Sequence, residues 1–241
     1  MPTFERDQRS IYYEEHGEGF PILAFAPGGV RSSIAFWERS PWNPIRELAS
    51  SYRVIVLDQR NAGRSRAPIA ASDGWHVYTD DHLALLDHLG VERAHLLGGC
   101  IGGSFILSFL KRAPSRVASA VLQQPIGRSD ENVPLFRAAF DTWASELSVA
   151  HPEASASDLA SFRENLFGGE FTFSATRDDV RAVEVPLLVL MGNDAHHPSE
   201  TSREIVRLAR RAELVERWKE PEVVADTVRR VRAFLEAHTP R

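Results

Sequence analysis

Gly98-Gly99-Cys100-Ile101-Gly102-Gly103 sets the one cysteine of the chain between two pairs of glycines. Before it, Ala94-His95-Leu96-Leu97 reads as a short buried strand; after it, Ser104-Phe105-Ile106-Leu107-Ser108-Phe109-Leu110 reads as a helix. A reactive side chain flanked by glycines at a strand-to-helix turn is a nucleophile elbow, G-x-S-x-G, here with cysteine in place of serine. Small neighbours permit the strained backbone of the central residue, and the turn lifts its side chain over the end of the sheet. The first amides of the following helix favour a thiolate and a developing oxyanion. The plainer reading of a lone cysteine is a small apolar core residue. The glycine pattern between strand and helix favours the elbow.

Outward from this turn, hydrophobic and helix-forming runs alternate. Ile11–Glu15 and Pro21–Phe25 read as strands on either side of a turn at His16-Gly17-Glu18-Gly19. Helices are expected over Trp42–Ser51, Asp80–Leu89, Ser199–Arg211 and Glu222–His238, and strands over Tyr52–Asp58, Val117–Leu122, Val185–Met191 and Glu213–Trp218. This alternation predicts an α/β fold with a mostly parallel sheet and helices on both faces. Between Arg128 and Ala182 the alternation breaks, and Phe136, Phe140, Trp143, Phe162, Phe167, Phe171 and Phe173 crowd together. Residues 128–180 are therefore expected to form a small, mainly helical cap over a core made of 1–127 and 181–241, above the carboxyl ends of the strands where such sheets bind ligands. Taken singly, most of these aromatics read as packing residues.

With 241 residues, 43% of them hydrophobic, the chain is long enough for one domain with a sizeable core. The net charge of −5 carries no polybasic patch, so nucleic acid and membrane surfaces are not expected partners. A single cysteine excludes an internal disulfide and fits a reducing compartment. The N-terminal residues form no apolar signal region, and no apolar run approaches the ~18 residues of a spanning helix. These features together predict a cytoplasmic location. Oligomeric state, a homo-oligomer included, is not readable.

Several of these pieces, in this order, resemble the α/β-hydrolase fold family over nearly the whole chain. Pro27-Gly28-Gly29 lies where that family has its His-Gly oxyanion loop. Asp58-Gln59-Arg60-Asn61-Ala62-Gly63-Arg64-Ser65 looks like its D-x-R-G-x-G-x-S loop, with Asn61 and Ala62 as departures, and Gly192-Asn193-Asp194 follows the penultimate strand. The resemblance implies a sheet of about eight strands and a nucleophile–acid–histidine triad. Dienelactone hydrolases and polyhydroxyalkanoate synthases are relatives with cysteine as nucleophile; the elbow is similar to the synthase form, but this chain is far shorter.

One departure matters for the triad. In the family the base histidine usually follows the last strand, whereas Arg217-Trp218-Lys219-Glu220-Pro221-Glu222 contains none. His238 lies at the far end of the final helix. His16, His82, His88, His95 and His151 fall at positions better suited to surface or packing roles. His196 and His197 lie in Asp194-Ala195-His196-His197-Pro198, the loop that normally supplies the acid. One loop is thus expected to supply both Asp194 and the base, with His197 preferred slightly over His196 because Pro198 constrains the chain beyond it. Asp194, His196 and His197 also form a weak metal pattern without a separated further ligand, so no metal and no cofactor are expected.

The leading expectation is a hydrolase acting on a small ester, lactone or thioester through an acyl-enzyme on Cys100. The oxyanion would be held by the amides of Ile101 and of Gly29 or Val30. An acyltransferase, a lyase or cofactor-free oxygenase of the same fold, and an inactive small-molecule binder stay open. The partner in each case is a small molecule. Arg31, Arg60, Arg64 and Arg66 fall near the expected mouth, where one could pair with a substrate carboxylate, although surface or structural roles fit each as well. Trp37, Trp75 and Trp143 could line an apolar pocket or simply pack; Arg31, Trp37 and Trp143 are taken as the substrate-binding candidates.

Overall fold

The computed structural model describes residues 2–240. Eight strands form one sheet: β1 (Thr3–Arg6), β2 (Arg9–His16), β3 (Pro21–Phe25), β4 (Arg53–Leu57), β5 (Ala94–Gly99), β6 (Val117–Gln123), β7 (Leu187–Leu190) and β8 (Ala212–Val215). Their order is β1-β2-β4-β3-β5-β6-β7-β8. From β4 to β8 every neighbouring pair is parallel, and β1 and β2 add an antiparallel edge. The expected mostly parallel, helix-covered sheet is the one observed.

The two strands on either side of the His16-Gly17-Glu18-Gly19 turn do not form a hairpin with each other. β2 and β3 are not neighbours, because β4 lies between them, antiparallel to β2 (Tyr13↔Leu57) and parallel to β3 (Leu23↔Ile55). The true hairpin joins β1 to β2 through Asp7-Gln8, both with positive φ (49° and 65°). That is the backbone a two-residue hairpin turn demands, here without the usual glycine.

The central strands read as near-continuous apolar runs because both faces are covered. Alternate residues go to opposite layers. Leu23, Phe25, Leu96, Leu122 and Val189 join the layer under α2 (Trp75–His88) and α3 (Gly102–Arg112); Ile22, Ala24, Leu97, Val121 and Leu188 join the one under α8 (Val224–His238). Each of the fully buried Leu, Ile, Val and Phe side chains among them contributes ~1.5–3 kcal/mol. The remaining helices are α1 (Pro44–Leu48), α4 (Val133–Leu147), α5 (Ala156–Phe167), α6 (Arg177–Arg181) and α7 (Ser199–Leu208). The first two of the insertion, α4 and α5, carry its aromatic face: Phe136 stacks on Phe167 (5.4 Å, 11°), and Phe140 meets Phe162 and Trp143 edge-on. These side chains are buried, as the packing reading of the cap aromatics expects. No described helix is long and apolar enough to cross a membrane.

Candidate active site

The turn after β5 holds Cys100 at φ 57°. For a residue with a side chain this left-handed conformation costs ~1–2 kcal/mol, and the surroundings hold it in place. The Cys100 amide donates to the Gln123 carbonyl at 2.9 Å, and its own carbonyl accepts from Gly103 N–H at 3.0 Å. Gly98 and Gly102 face each other across the turn; a Cβ on Gly98 would stand 2.5 Å from the Gly102 carbonyl carbon, and one on Gly102 would stand 2.7 Å from the Phe25 carbonyl oxygen. Small residues are thus a packing requirement at both positions.

Cys100 is half-buried. Burial pushes its thiol up to about 11; the backbone N–H groups of Ile101, Gly28 and Gly29 act the other way, and the Asp194 charge adds to the rise. Gly29 and Ile101, two of the residues expected as oxyanion donors, are thus among the amides that act on the sulfur. Gly28 joins them, while Val30 turns its side chain into the core. A 3-10 turn at Gly29–Arg31 presents these amides. It is clamped from below: Ser32 Oγ donates to the Ala26 carbonyl (2.6 Å), and Asp58 Oδ1 accepts from Ile34 N–H (2.8 Å). Asp58 Oδ2 accepts from Arg64 N–H at 2.9 Å, so the Asp58–Ser65 loop braces that turn. Arg60 is structural, paired to Asp81 through Nε–Oδ2 (2.8 Å) and Nη2–Oδ1 (3.2 Å) in the interior.

The loop after β7 brings its acid and histidine together. Nδ1–H of His197 donates to Asp194 Oδ1 at 2.7 Å, and Oδ2 lies at 2.9 Å. Asp194 Oδ1 also accepts from the amides of His196 (3.0 Å) and His197 (3.1 Å). This closed turn needs Gly192, where a Cβ would fall 2.5 Å from that of His197. Pro198 then leads into α7. Burial opposes the charge on Asp194, but the His197 imidazole and the two amides outweigh it and hold the carboxyl below its ordinary value. Burial lowers His197 below an ordinary histidine; Asp194 opposes this, while His196 and Lys219 add to the lowering. With Nδ1 carrying the proton, Nε2 is the basic atom, and it is buried with no hydrogen-bond partner among the described residues.

His196 packs edge-on against Phe136 of α4 at 5.5 Å. Asn132, at the start of the cap, donates through Nδ2 to the carbonyls of Gly127 (2.6 Å) and Ala195 (3.1 Å), tying the cap to the acid loop. Three other histidines are engaged elsewhere. His82 bonds Gln59, His95 bonds Ser119 and Thr239, and Nδ1 of His238 donates to the Phe234 carbonyl.

Three features escaped the sequence. Lys219 follows β8 where the family places its base; its Nζ donates to Gln124 Oε1 at 3.2 Å and its charge acts on His197. Phe171 and Phe173 adopt positive φ (43° and 63°) in the cap, rare for aromatic residues. Asn61, also at positive φ (58°), accepts the Trp143 indole N–H on its carbonyl at 3.1 Å. Of the substrate-binding candidates, Trp143 is buried in the cap, and Arg31 pairs with Glu146 of α4 at 2.8 Å. Trp37 is set apart from them: it is buried with Trp42 and Trp218 in the layer under α8, across the sheet from the layer that Cys100 packs against. No group of three His, Cys, Asp or Glu side chains among the described residues is placed to hold a metal.

The sheet order, with the strained turn after β5 and the amide-lined turn after β3, fits the α/β-hydrolase fold. The family model for the alpha/beta hydrolase fold matches residues 21–203, and the chain belongs to that family. It is 32% identical over 154 residues to the protein named "Putative carbamate hydrolase RutD" from Azorhizobium caulinodans, covering 64% of this chain and 54% of that protein. It is 30% identical over 157 residues to the 2-hydroxymuconate semialdehyde hydrolase of a Pseudomonas species, covering 65% of this chain and 53% of that one. The matches span about half the length of these curated relatives. The meta-cleavage product hydrolase CumD of Pseudomonas fluorescens superposes with a TM-score of 0.71 at 22% identity, over 96% of each chain.

Proposed function

We propose that this protein is a cysteine-dependent hydrolase that cleaves a small ester, lactone or thioester through an acyl-enzyme on Cys100. The observation that carries the reading is the setting of Cys100, a strained elbow residue whose sulfur is faced by the amides of Ile101, Gly28 and Gly29. His197 Nε2 takes the thiol proton as Sγ attacks the carbonyl carbon, and the amides hold the oxyanion. Collapse of the tetrahedral adduct expels the alcohol or thiol, which takes the proton from His197. Water, deprotonated by the same Nε2, then cleaves the thioester and restores the thiol. Asp194 keeps the proton on Nδ1 and stabilises the imidazolium. The curated relatives are named as hydrolases, which supports the class of reaction.

A second reading has a specific observation in its favour. With the thiol near 11, only about one in 10⁴ is ionised at pH 7. A lyase or oxygenase would use the His197–Asp194 pair as a base and leave the thiol idle.

Intact-protein mass after exposure to p-nitrophenyl acetate and to a panel of lactones and thioesters separates the two. An acyl adduct on the native chain, absent from Cys100→Ala, is the expected result. Full turnover by Cys100→Ala would sink the hydrolase reading in favour of the base.

A further inference from the structure

The loop after β7 stands at the surface: Asn193, Asp194, Ala195 and His196 are all exposed, yet His197, the next residue, is buried. Exposed loops move readily, so whatever holds this one decides where Nε2 of His197 stands. Part of the hold is internal, in the bonds between Asp194 and His197. On the side of α7, Gly192 N–H donates to Ser202 Oγ at 3.1 Å. The opposite side is held by the first turn of the 128–180 insertion.

Asn132 immediately precedes α4 and is fully buried. Its Oδ1 accepts from Ser129 N–H at 2.9 Å. A backbone N–H can only donate, so this bond fixes which end of the side-chain amide is the oxygen. Both hydrogens of Nδ2 are then spent, one on the Gly127 carbonyl at 2.6 Å and one on the Ala195 carbonyl at 3.1 Å. An amide turned the other way would set its oxygen against two carbonyls. Gly127 itself lies against α7, where a Cβ would fall 2.1 Å from Thr201 Oγ1. One helical turn beyond Asn132, Phe136 donates its N–H to the Asn132 carbonyl at 3.0 Å and lies on the same face of α4. Its ring meets His196 edge-on at 5.5 Å and is backed by Phe167 and Phe173. Asn132 and Phe136 thus hold two consecutive residues, Ala195 and His196, and His197 is the next along the chain.

We propose that Asn132 is the positioning residue of His197: its bond to the Ala195 carbonyl, with Phe136 beside it, fixes the height at which the Asp194–His197 pair stands. It takes no proton itself. The proposal rests on the reading of His197 as the base for its kinetic consequence, and on the bonds alone for the placement of the ring.

The test compares the full-length native chain with Asn132→Ala, His197→Ala and the double variant. Proton NMR follows the Nδ1–H resonance of His197, identified by its absence from His197→Ala. In Asn132→Ala it should shift or broaden, while the ring N–H signals of the buried His82 and His95 stay in place. Single-turnover acylation by p-nitrophenyl acetate should slow about tenfold, the size of one lost hydrogen bond. In the His197→Ala background the same substitution should change nothing, because no ring is left to position. An unmoved resonance overturns the proposal. So does a native acylation rate in Asn132→Ala where His197→Ala is slow, and so does equal slowing in both backgrounds, the mark of a merely structural loss. Native acylation by His197→Ala, or no acyl adduct on the native chain, instead removes the reading of the base or of Cys100, and the resonance then decides for Asn132. If Asn132→Ala does not fold, Asn132→Ser takes its place, since its hydroxyl still serves the Ser129 amide but is too short for Ala195.

Discussion

His197 and Asp194, three residues apart in one loop, are joined Nδ1 to Oδ1 at 2.7 Å, and that bond leaves Nε2 as the basic nitrogen. Replacing the acid by asparagine would keep the turn's acceptor but let the imidazole take the other tautomer. Asp194→Asn should slow acylation by p-nitrophenyl acetate by roughly 10²-fold or more, measured in a single turnover, while the thiol still titrates fully with a disulfide reagent. An unchanged rate would remove Asp194 from the chemistry.

The buried thiol makes its own forecast. A group raised to about 11 gains thiolate as the pH rises. Alkylation of Cys100 by iodoacetamide should therefore climb about tenfold per pH unit from neutrality to pH ~10. A preformed thiolate–imidazolium pair would instead give a plateau across this range. Either curve is read directly from intact mass against time.

Packing at the elbow predicts a strong response to one methyl group. In Gly98→Ala the new Cβ meets backbone atoms of Gly102 at 2.5 Å, and backbone cannot swing aside as a long side chain can. The expected loss is ~2–3 kcal/mol or more, seen in urea unfolding. Gly90→Ala is the contrasting control for crowding, since nothing lies within 4 Å of its Cβ, although its φ of 66° still strains any side chain.

Acid should unfold this protein through two histidines that take no part in the site. Burial holds His82 down to about 3 and His95 down to about 4, against an ordinary 6.5. Between those values and 6.5 the unfolded chain binds protons that the native chain refuses, so stability is full above 6.5 and falls as the pH drops. At pH 4 each histidine should have cost ~3 kcal/mol. Thermal unfolding followed from pH 7 to pH 4 should drop steeply in the native chain and less steeply in His82→Gln or His95→Gln. Parallel curves for all three proteins would show that these groups do not govern the acid limb.

Much of the fold was legible because its signals are local. Val54–Leu57, Leu96–Leu97, Val117–Leu122 and Leu187–Leu190 are apolar runs bounded by turn residues, and each forms a buried strand. What was missed depends on distant partners. α2 begins at Trp75, before the expected Asp80, because Trp75 and Tyr78 pack on Phe105 of α3 and override residues of poor helix propensity. β1 and the Asp7-Gln8 turn lack the Asn-Gly signature and are specified by pairing with β2. At the site, Cys100 is announced by its own neighbours. The Gly28 amide and Lys219 acquire meaning only when loops far apart in the chain meet.

The register Ala120↔Leu187 joins β6 directly to β7, so the cap leaves the sheet and returns to it between adjacent strands. The sheet therefore closes without measuring the length of what it sends out. Loop-closure entropy changes by only ~0.6 kcal/mol for each doubling of such an excursion. What resists exchange is the seam with α3, where Ser104 Oγ donates to the Thr172 carbonyl and Ser174 Oγ to the Ser104 carbonyl, each at 2.8 Å. A foreign insertion that reproduces these two stitches and the aromatic underside could be grafted onto this scaffold without disturbing its sheet, which makes the molecule a chassis for other insertions.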